Sequence, residues 1–327
     1  MYSEEEIASA ISAGIITETT AAALREHVAQ LRATPAVDEE HFRLLSGFND
    51  IFVVIACTLL LLSVNWIGEA IAPWLGALAV AVVAWPLAEF FTIKRRMALP
   101  SIVLLLAFVG GVYFAAYSIS GKAAGAAGVA AAIAAWLHWQ RFKVPITVAA
   151  GALAVVSSLV LMLMTTSPEL MRFIKLVSFV AGVAVFVMAL RWDAADTLRQ
   201  TGKSDVAFWL HLLAAPLMVH PMFTTLGVFS GYIGWGQALA VVVLYIVIGL
   251  ISLAIDRRAL MVSALVYVLY AFSSLLKLYG VVSLGFAMTA LVIGAALLLL
   301  SAFWHPCREF VLRRLSATTR QKLAPLR

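Results

Sequence analysis

The residues best placed to do chemistry fall on two apolar stretches. Ser263, Tyr267, Tyr270, Ser274 and Lys277 follow one another at steps of four, three, four and three. On a helix that spacing gathers all five on one face. In hydrocarbon such a face must turn inward, because hydroxyls exposed to lipid find no partners. Two chemistries fit: lining a cavity for a polar or amphipathic ligand, or hydrogen bonding to adjacent helices. The second set is Ser204, Asp205, Trp209, His211, Pro216, His220 and Pro221. Ser204 or Asp205 suits a helix cap, and Asp205 with Trp209 forms an i, i+4 pair. His211 lies about 9 Å into its apolar run at 1.5 Å per residue, which makes it a candidate functional group. Its bland alternative is a neutral ring bonded to a neighbouring carbonyl or serine. His220 lies about 180° around the helix from His211, so the pair cannot share one metal ion.

Other chemistry is missing. There is no Walker A motif, no H-E-x-x-H, no G-x-S-x-G and no acidic pair at useful spacing, so neither a catalytic residue nor enzyme activity is expected. Cys57 and Cys307 are far apart, and His305 alone beside Cys307 makes no ligand set, so neither a metal site nor a cofactor is expected. Asp50, Glu89, Asp205 and Asp256 all fall near the same ends of apolar runs. Proton- or sodium-coupled carriers often keep a carboxylate at midplane. Glu89 is expected to pair with Lys94-Arg95-Arg96.

The elements that must position these groups are membrane helices. Of 327 residues, 63% are hydrophobic and 12% charged, against about 25% charged in a typical soluble domain. Mean hydropathy is +1.00. The apolar residues fall in runs long enough to cross a hydrocarbon core of about 30 Å. The expected fold is all-α, a polytopic bundle of about ten spans near 47–67, 71–92, 98–119, 123–140, 145–165, 172–190, 206–226, 229–253, 259–277 and 280–303.

Charge in the loops orients them. Of the 23 Lys and Arg residues, all but Lys122, Arg172, Lys175 and Lys277 fall in alternate loops and in the two ends. The positive-inside rule then places both termini in the cytoplasm and requires an even number of spans. These cations are expected to meet anionic headgroups, so the net charge of +6 calls for membrane lipids as partners and not for nucleic acid. Seven tryptophans, Trp66, Trp74, Trp136, Trp139, Trp192, Trp235 and Trp304, cluster near span ends, as interfacial rings do. Pro100 and Pro145 begin spans, whereas Pro86 and Pro216 are interior and should kink their helices. Gly125, Gly128 and the alanines from 130 to 135 suit a central, closely packed fourth span. The glycine-rich stretch from Gly227 to Gly236 suits a hinge or local unwinding at the eighth.

Residues 1–40 read as a small cytoplasmic helical hairpin and linker, 41–305 as the bundle and 306–327 as a basic tail. No cleavable signal peptide is expected. Ser3 and Glu6 have capping-box spacing, Gly14 is placed to end the first helix, and Thr17 to cap the second. Two such helices cannot make a stable core alone, so self-association or a protein partner through residues 1–40 is expected. In the tail, Arg308, Arg313 and Arg314 alternate with Phe310-Val311-Leu312 and Leu315, as in a basic amphipathic helix on an anionic leaflet. The turns Arg95-Arg96-Met97-Ala98-Leu99 and Arg257-Arg258-Ala259-Leu260-Met261 look alike, through duplication or because basic tight turns converge.

Ala13-Gly14-Ile15-Ile16 with Thr17, and Val64-Asn65-Trp66 closing the first span, resemble a group of uncharacterised bacterial polytopic membrane proteins with an N-terminal cytoplasmic hairpin. The match covers about the first fifth of the chain and carries over no site residue. The resemblance implies a multi-pass protein of the bacterial inner membrane. Two functions are expected to compete. One is binding or transport of a small or lipid-like molecule through a cavity lined by Ser263, Tyr267, Tyr270, Ser274, Lys277 and His211. The alternative is a non-transporting scaffold or sensor acting through the N-terminal hairpin.

Overall fold

The computed structural model describes residues 4–32, 48–121, 123–166, 168–199, 201–228, 234–278, 285–320 and 323–325. All regular structure among them is helical. The chain divides into two compact units, Met1–Arg43 and Leu44–Arg327.

In the first unit, α1 (Glu4–Ser12) and α2 (Glu18–Arg32) are joined by a tight turn. Gly14 takes φ +69°, and the Ile15 amide donates back to the Ala10 carbonyl at 2.9 Å. Glycine suits this left-handed position because it has no Cβ to clash. Thr17 caps α2 through its hydroxyl, which accepts from the Thr20 amide at 3.2 Å. Ser3, Pro35 and the acidic stretch Asp38-Glu39-Glu40 lie outside the described residues.

The second unit is built from α3 (Phe48–Glu69), α4 (Pro73–Ala88), α5 (Ala98–Ile119), α6 (Ala124–Phe142), α7 (Ile146–Thr166), α8 (Ile174–Ala194), α9 (Gly202–Thr225), α10 (Trp235–Ile255), α11 (Ala259–Leu278), α12 (Gly285–Ala302) and α13 (Trp304–Leu312), with a last short turn, α14 (Ala317–Arg320). Seven helices among the described residues are long and apolar enough to span a membrane, or eight if a bent pair counts as one. The sequence leads one to expect ten, and the three that differ do so for distinct reasons. Helix α6 forms and packs, but its alanines and its polar end lower its hydropathy. The described apolar part of α11 is shorter, Ala259–Ser273. The last span breaks between Leu291–Ala302 and Trp304–Leu312 with a bend of 71°.

Consecutive helices pack as antiparallel neighbours: α4 on α5, α6 on α7 and α8 on α9 most extensively, with α7 also packing on α9. Glycines set several of these crossings. A Cβ at Gly68 would lie 2.5 Å from the Gly76 Cα, so α3 and α4 touch through their backbones. One core gathers Cys57, Leu61, Ala84, Leu104 and Phe142 from α3 to α6. Another gathers Val219, Phe223, Val241, Ile248 and Val268 from α9 to α11. Helix α9 is the least apolar of the seven spans and the most buried, with half of its window enclosed by protein. A span carrying histidines and serine belongs where protein, not lipid, surrounds it. Pro216 and Pro221 both lie inside α9. Pro86 lies inside α4, whose last turn continues as a π-helical segment, Glu89–Lys94.

Four turns that share one end of the bundle each hold a charged residue in the left-handed region: Arg96 (φ 51°), Lys143 (φ 54°), Arg199 (φ 55°) and Asp256 (φ 59°). In the left-handed region at the opposite turns stand Gly121 and Gly227. A non-glycine residue there costs on the order of 1 kcal/mol, so its side chain must return something. At Arg199 and Asp256 the return is visible.

Candidate functional site

The site starts from Asp193, the penultimate residue of α8. Its Oδ1 accepts from Arg257 Nη2 at 2.7 Å, and its Oδ2 accepts from His211 Nε2 at 2.8 Å and from Arg257 Nε at 3.4 Å. Ser204 and His211 are seven residues apart on α9 and so share a face. That face lies against Asp193 because Arg257 Nη2 also donates to the Ser204 carbonyl and hydroxyl, each at 3.1 Å. Arg257 is 2% exposed and His211 fully buried. Because Asp193 only accepts, His211 carries its proton on Nε2. Its Nδ1 is buried with no hydrogen-bond partner among the described residues, and the His211 and Phe186 rings meet edge to face with centroids 5.3 Å apart.

Asp256 forms the second knot. It follows the last residue of α10, and the Arg257 amide donates to the Ser252 carbonyl at 3.0 Å, as at a left-handed helix end. Its carboxylate accepts from Arg199 Nη1 at 3.1 Å and from Trp304 Nε1 at 2.8 Å, and pairs with Arg308 Nε at 3.6 Å. Arg199 also donates to the Asp256 and Ile255 carbonyls at 2.9 and 3.4 Å, capping the negative end of α10. Burial draws the Arg199 guanidinium below its ordinary range, the nearby Arg257 acts in the same direction, and Asp256 opposes them. Arg308, 1% exposed, donates to the Ala324 carbonyl at 2.5 Å and the Pro325 carbonyl at 3.0 Å. Arg258 lies over the Trp304 ring at 4.6 Å. Two aspartates and three buried arginines thus tie together α8, α9, the α10–α11 turn, α13 and the end of the tail.

These positions correct several expectations. Arg199, Arg257 and Arg308 are buried among protein groups and do not face lipid headgroups. The tail does not simply lie on a leaflet. Trp304, Arg308 and Leu312, at steps of four, make one buried stripe on α13, and Arg313 and Arg314 are left outside with Glu309 and Phe310 as neighbours. Glu89 pairs with Arg141, at 2.7 and 2.8 Å, in place of Lys94-Arg95-Arg96. The α6 surface is packed on one side only: Ala127, Gly128, Ala131, Ala134 and Ala135 are buried, whereas Val129, Ile133 and Trp136 are exposed.

The residues singled out on α11 and α9 fall in different places. His211 belongs to the Asp193 knot. Tyr267 instead donates to or accepts from His220 Nδ1 at 2.6 Å and stacks on Phe223 with ring centroids 4.9 Å apart. Residues 211 and 220 are separated by about 13 Å along α9, so His211 and Tyr267 do not meet. Ser263 is half-buried and Tyr270 is 38% exposed. Ser274 and Lys277 lie on α11, with their side chains outside the described residues. In the stretch from Gly227 to Gly236, residues 229–233 are also outside them. The Gly234 amide donates to Gln237 Oε1 at 3.1 Å, which caps α10. The sequence alone does not single out Asp193. Its signal is weak, because Arg191-Trp192-Asp193 looks like any interfacial span end and its partner Arg257 is 64 residues away.

Two large hollows adjoin the bundle. One, of about 1010 Å³, runs between α6 and α7 past Val129, Ile133, Trp136, Leu159 and Met162 and is almost wholly apolar. The other, of about 700 Å³, abuts the ion-pair network. Val187, Leu190, Ile255 and Leu323 give it an apolar side, and Arg191, Asp193, Asp196, Thr197 and Arg199 a polar one. Thr319, Leu323 and Ala324 of the tail also line it. Such a volume is ordinary for a small-molecule site, and the mixed lining suits a ligand with a polar end and an oily one. The network beside it offers no free nucleophile. Among the described residues no three His, Cys, Asp or Glu side chains are placed to hold a metal ion. Comparison with protein-family models, curated proteins and solved structures finds no match for this chain.

Proposed function

We propose that this multi-pass membrane protein binds an amphipathic small or lipid-like molecule in the 700 Å³ cavity beneath its tail, and moves it between membrane and cytoplasm. The observation that carries the reading is the adjacency of a two-sided cavity to a buried ion-pair network. The network holds α8, α9, the α10–α11 turn and the tail in register, and the cavity is left between them. A pre-organised wall lowers the ordering cost of binding. In this reading the chain threads the bacterial inner membrane about ten times, with α6, α11 and the bent α12–α13 pair completing the count, and the arginine-rich end faces the cytoplasm. The 71° bend leaves α12 to complete the crossing and sets α13 at the arginine-rich end, where Trp304 bonds Asp256.

Ala194 lines the cavity and is exposed, so Ala194→Trp fills the space without entering the core. Binding of amphiphiles to the protein in phosphatidylcholine nanodiscs, and their flux in reconstituted vesicles, should both fall sharply in this variant. Unchanged binding and flux would remove the cavity from the function.

A second reading keeps the bundle as a scaffold and gives contact to the first unit, where Ile15 is 76% and Leu24 43% exposed. Crosslinking in cells with and without residues 1–40 separates the two. Loss of a crosslinked partner on deletion supports the scaffold, and an unchanged crosslinking pattern argues against it.

A further inference from the structure

We infer that the ligand of this cavity is an anionic single-chain amphiphile whose headgroup is held by Arg191, an assignment that rests on the reading of the cavity as a ligand site. What the lining leaves available decides the sign of the ligand's charge. Asp193 is occupied by His211 and Arg257. Asp196 accepts from the Thr201 amide at 2.8 Å and its hydroxyl at 2.6 Å. Arg199 is engaged by the Asp256 carboxylate and by two carbonyls. Arg191, in the last turn of α8, lines the same cavity and is exposed. It makes no side-chain hydrogen bond or ion pair among the described residues. A cationic headgroup would meet carboxylates that already accept hydrogen bonds from protein groups, and would lie beside Arg191.

The charged lining itself is balanced, Arg191 and Arg199 against Asp193 and Asp196, and of these four Arg191 is the one without a side-chain partner among the described residues. It stands next to an apolar wall, where an anion gains most. A guanidinium fork matches either a carboxylate or a phosphate. The apolar side, from Val187 and Leu190 to Ile255 and Leu323, takes the chain.

The test is scintillation-proximity binding of radiolabelled laurate to the full-length protein in phosphatidylcholine nanodiscs. Dodecyl phosphate, dodecanol, dodecyltrimethylammonium and acetate serve as competitors. Laurate or dodecyl phosphate should compete well, with the stronger of the two identifying the headgroup. Dodecanol should be weaker by about fivefold or more, and acetate should have no effect. Arg191→Gln should lower laurate affinity about fivefold. Arg191→Glu should reverse the preference toward dodecyltrimethylammonium, which no purely structural role of Arg191 would do. If every amphiphile binds alike, Arg191→Glu changes nothing and Ala194→Trp still abolishes binding, the charge assignment is wrong and the cavity reading stands. If nothing binds, or Ala194→Trp has no effect, both fall.

Discussion

Replacing Asp256 by asparagine isolates the electrostatic part of the network. Asparagine tolerates the left-handed backbone at φ 59°, so the turn itself is not strained further. Its amide oxygen can still accept from Trp304, and Arg199 keeps its two carbonyl partners. What disappears is the negative charge facing Arg199 and Arg308, whose side chains are 4% and 2% exposed. Removing one partner of a buried pair costs about 3–5 kcal/mol, because the other charge is left uncompensated. With the surviving neutral bonds, about 3 kcal/mol is expected here. Reversible unfolding of the purified protein in mixed micelles, titrated with sodium dodecyl sulfate, reads that difference. Arg199→Met should then cost at least about 1 kcal/mol less in the Asp256→Asn background than alone, since the two charges act as a unit. If Asp256→Asn stays within about 0.5 kcal/mol of the parent and the two changes add, the network is not holding the helices and the reasoning fails.

Three further outcomes follow from the same structure. Gly68→Val should abolish the monodisperse peak in size-exclusion chromatography, because its Cβ would meet the Gly76 backbone, whereas Gly110→Val, which has open space, should behave as the parent. Glu89→Gln should change unfolding free energy by less than about 1 kcal/mol, because Arg141 and Glu89 are 53% and 33% exposed; a larger loss would mean that the exposed pair matters as much as the buried ones. Tyr267→Phe keeps the stack on Phe223 and removes the bond to His220, so about 0.6 kcal/mol is expected in the same titration, and a loss several times larger would give Tyr267 a role beyond helix contact.

Much of the fold is legible because lipid leaves few choices. An unbroken apolar run from 98 to 119 becomes a helix over the same residues, Ala98–Ile119, and the polar span containing His211 becomes the most enclosed one. The local signals at Gly14 and Thr17 are legible for a different reason, since each concerns groups within a few residues. The network is not, because its meaning depends on partners far along the chain. Arg257 reads as a loop cation until Asp193 is brought to it, and Arg308 as a surface charge until the Ala324 and Pro325 carbonyls close on it. The spacing of Trp304, Arg308 and Leu312 already marks one helical face, but nothing local says whether lipid or protein covers it. Likewise the hydroxyl stripe on α11 is real as a pattern, yet which of its members meets which histidine depends on how far α11 slides along α9. That register is a property of packing and cannot be counted from residue spacing.

The most direct measurement is a density map of the full-length protein, extracted with native lipid into nanodiscs. Elongated density is expected between Leu190, Ile255 and Leu323 with its head against Arg191, and with Thr319 and Ala324 beside it. A cavity filled only by ordered water, with the tail seated as before, would contradict it.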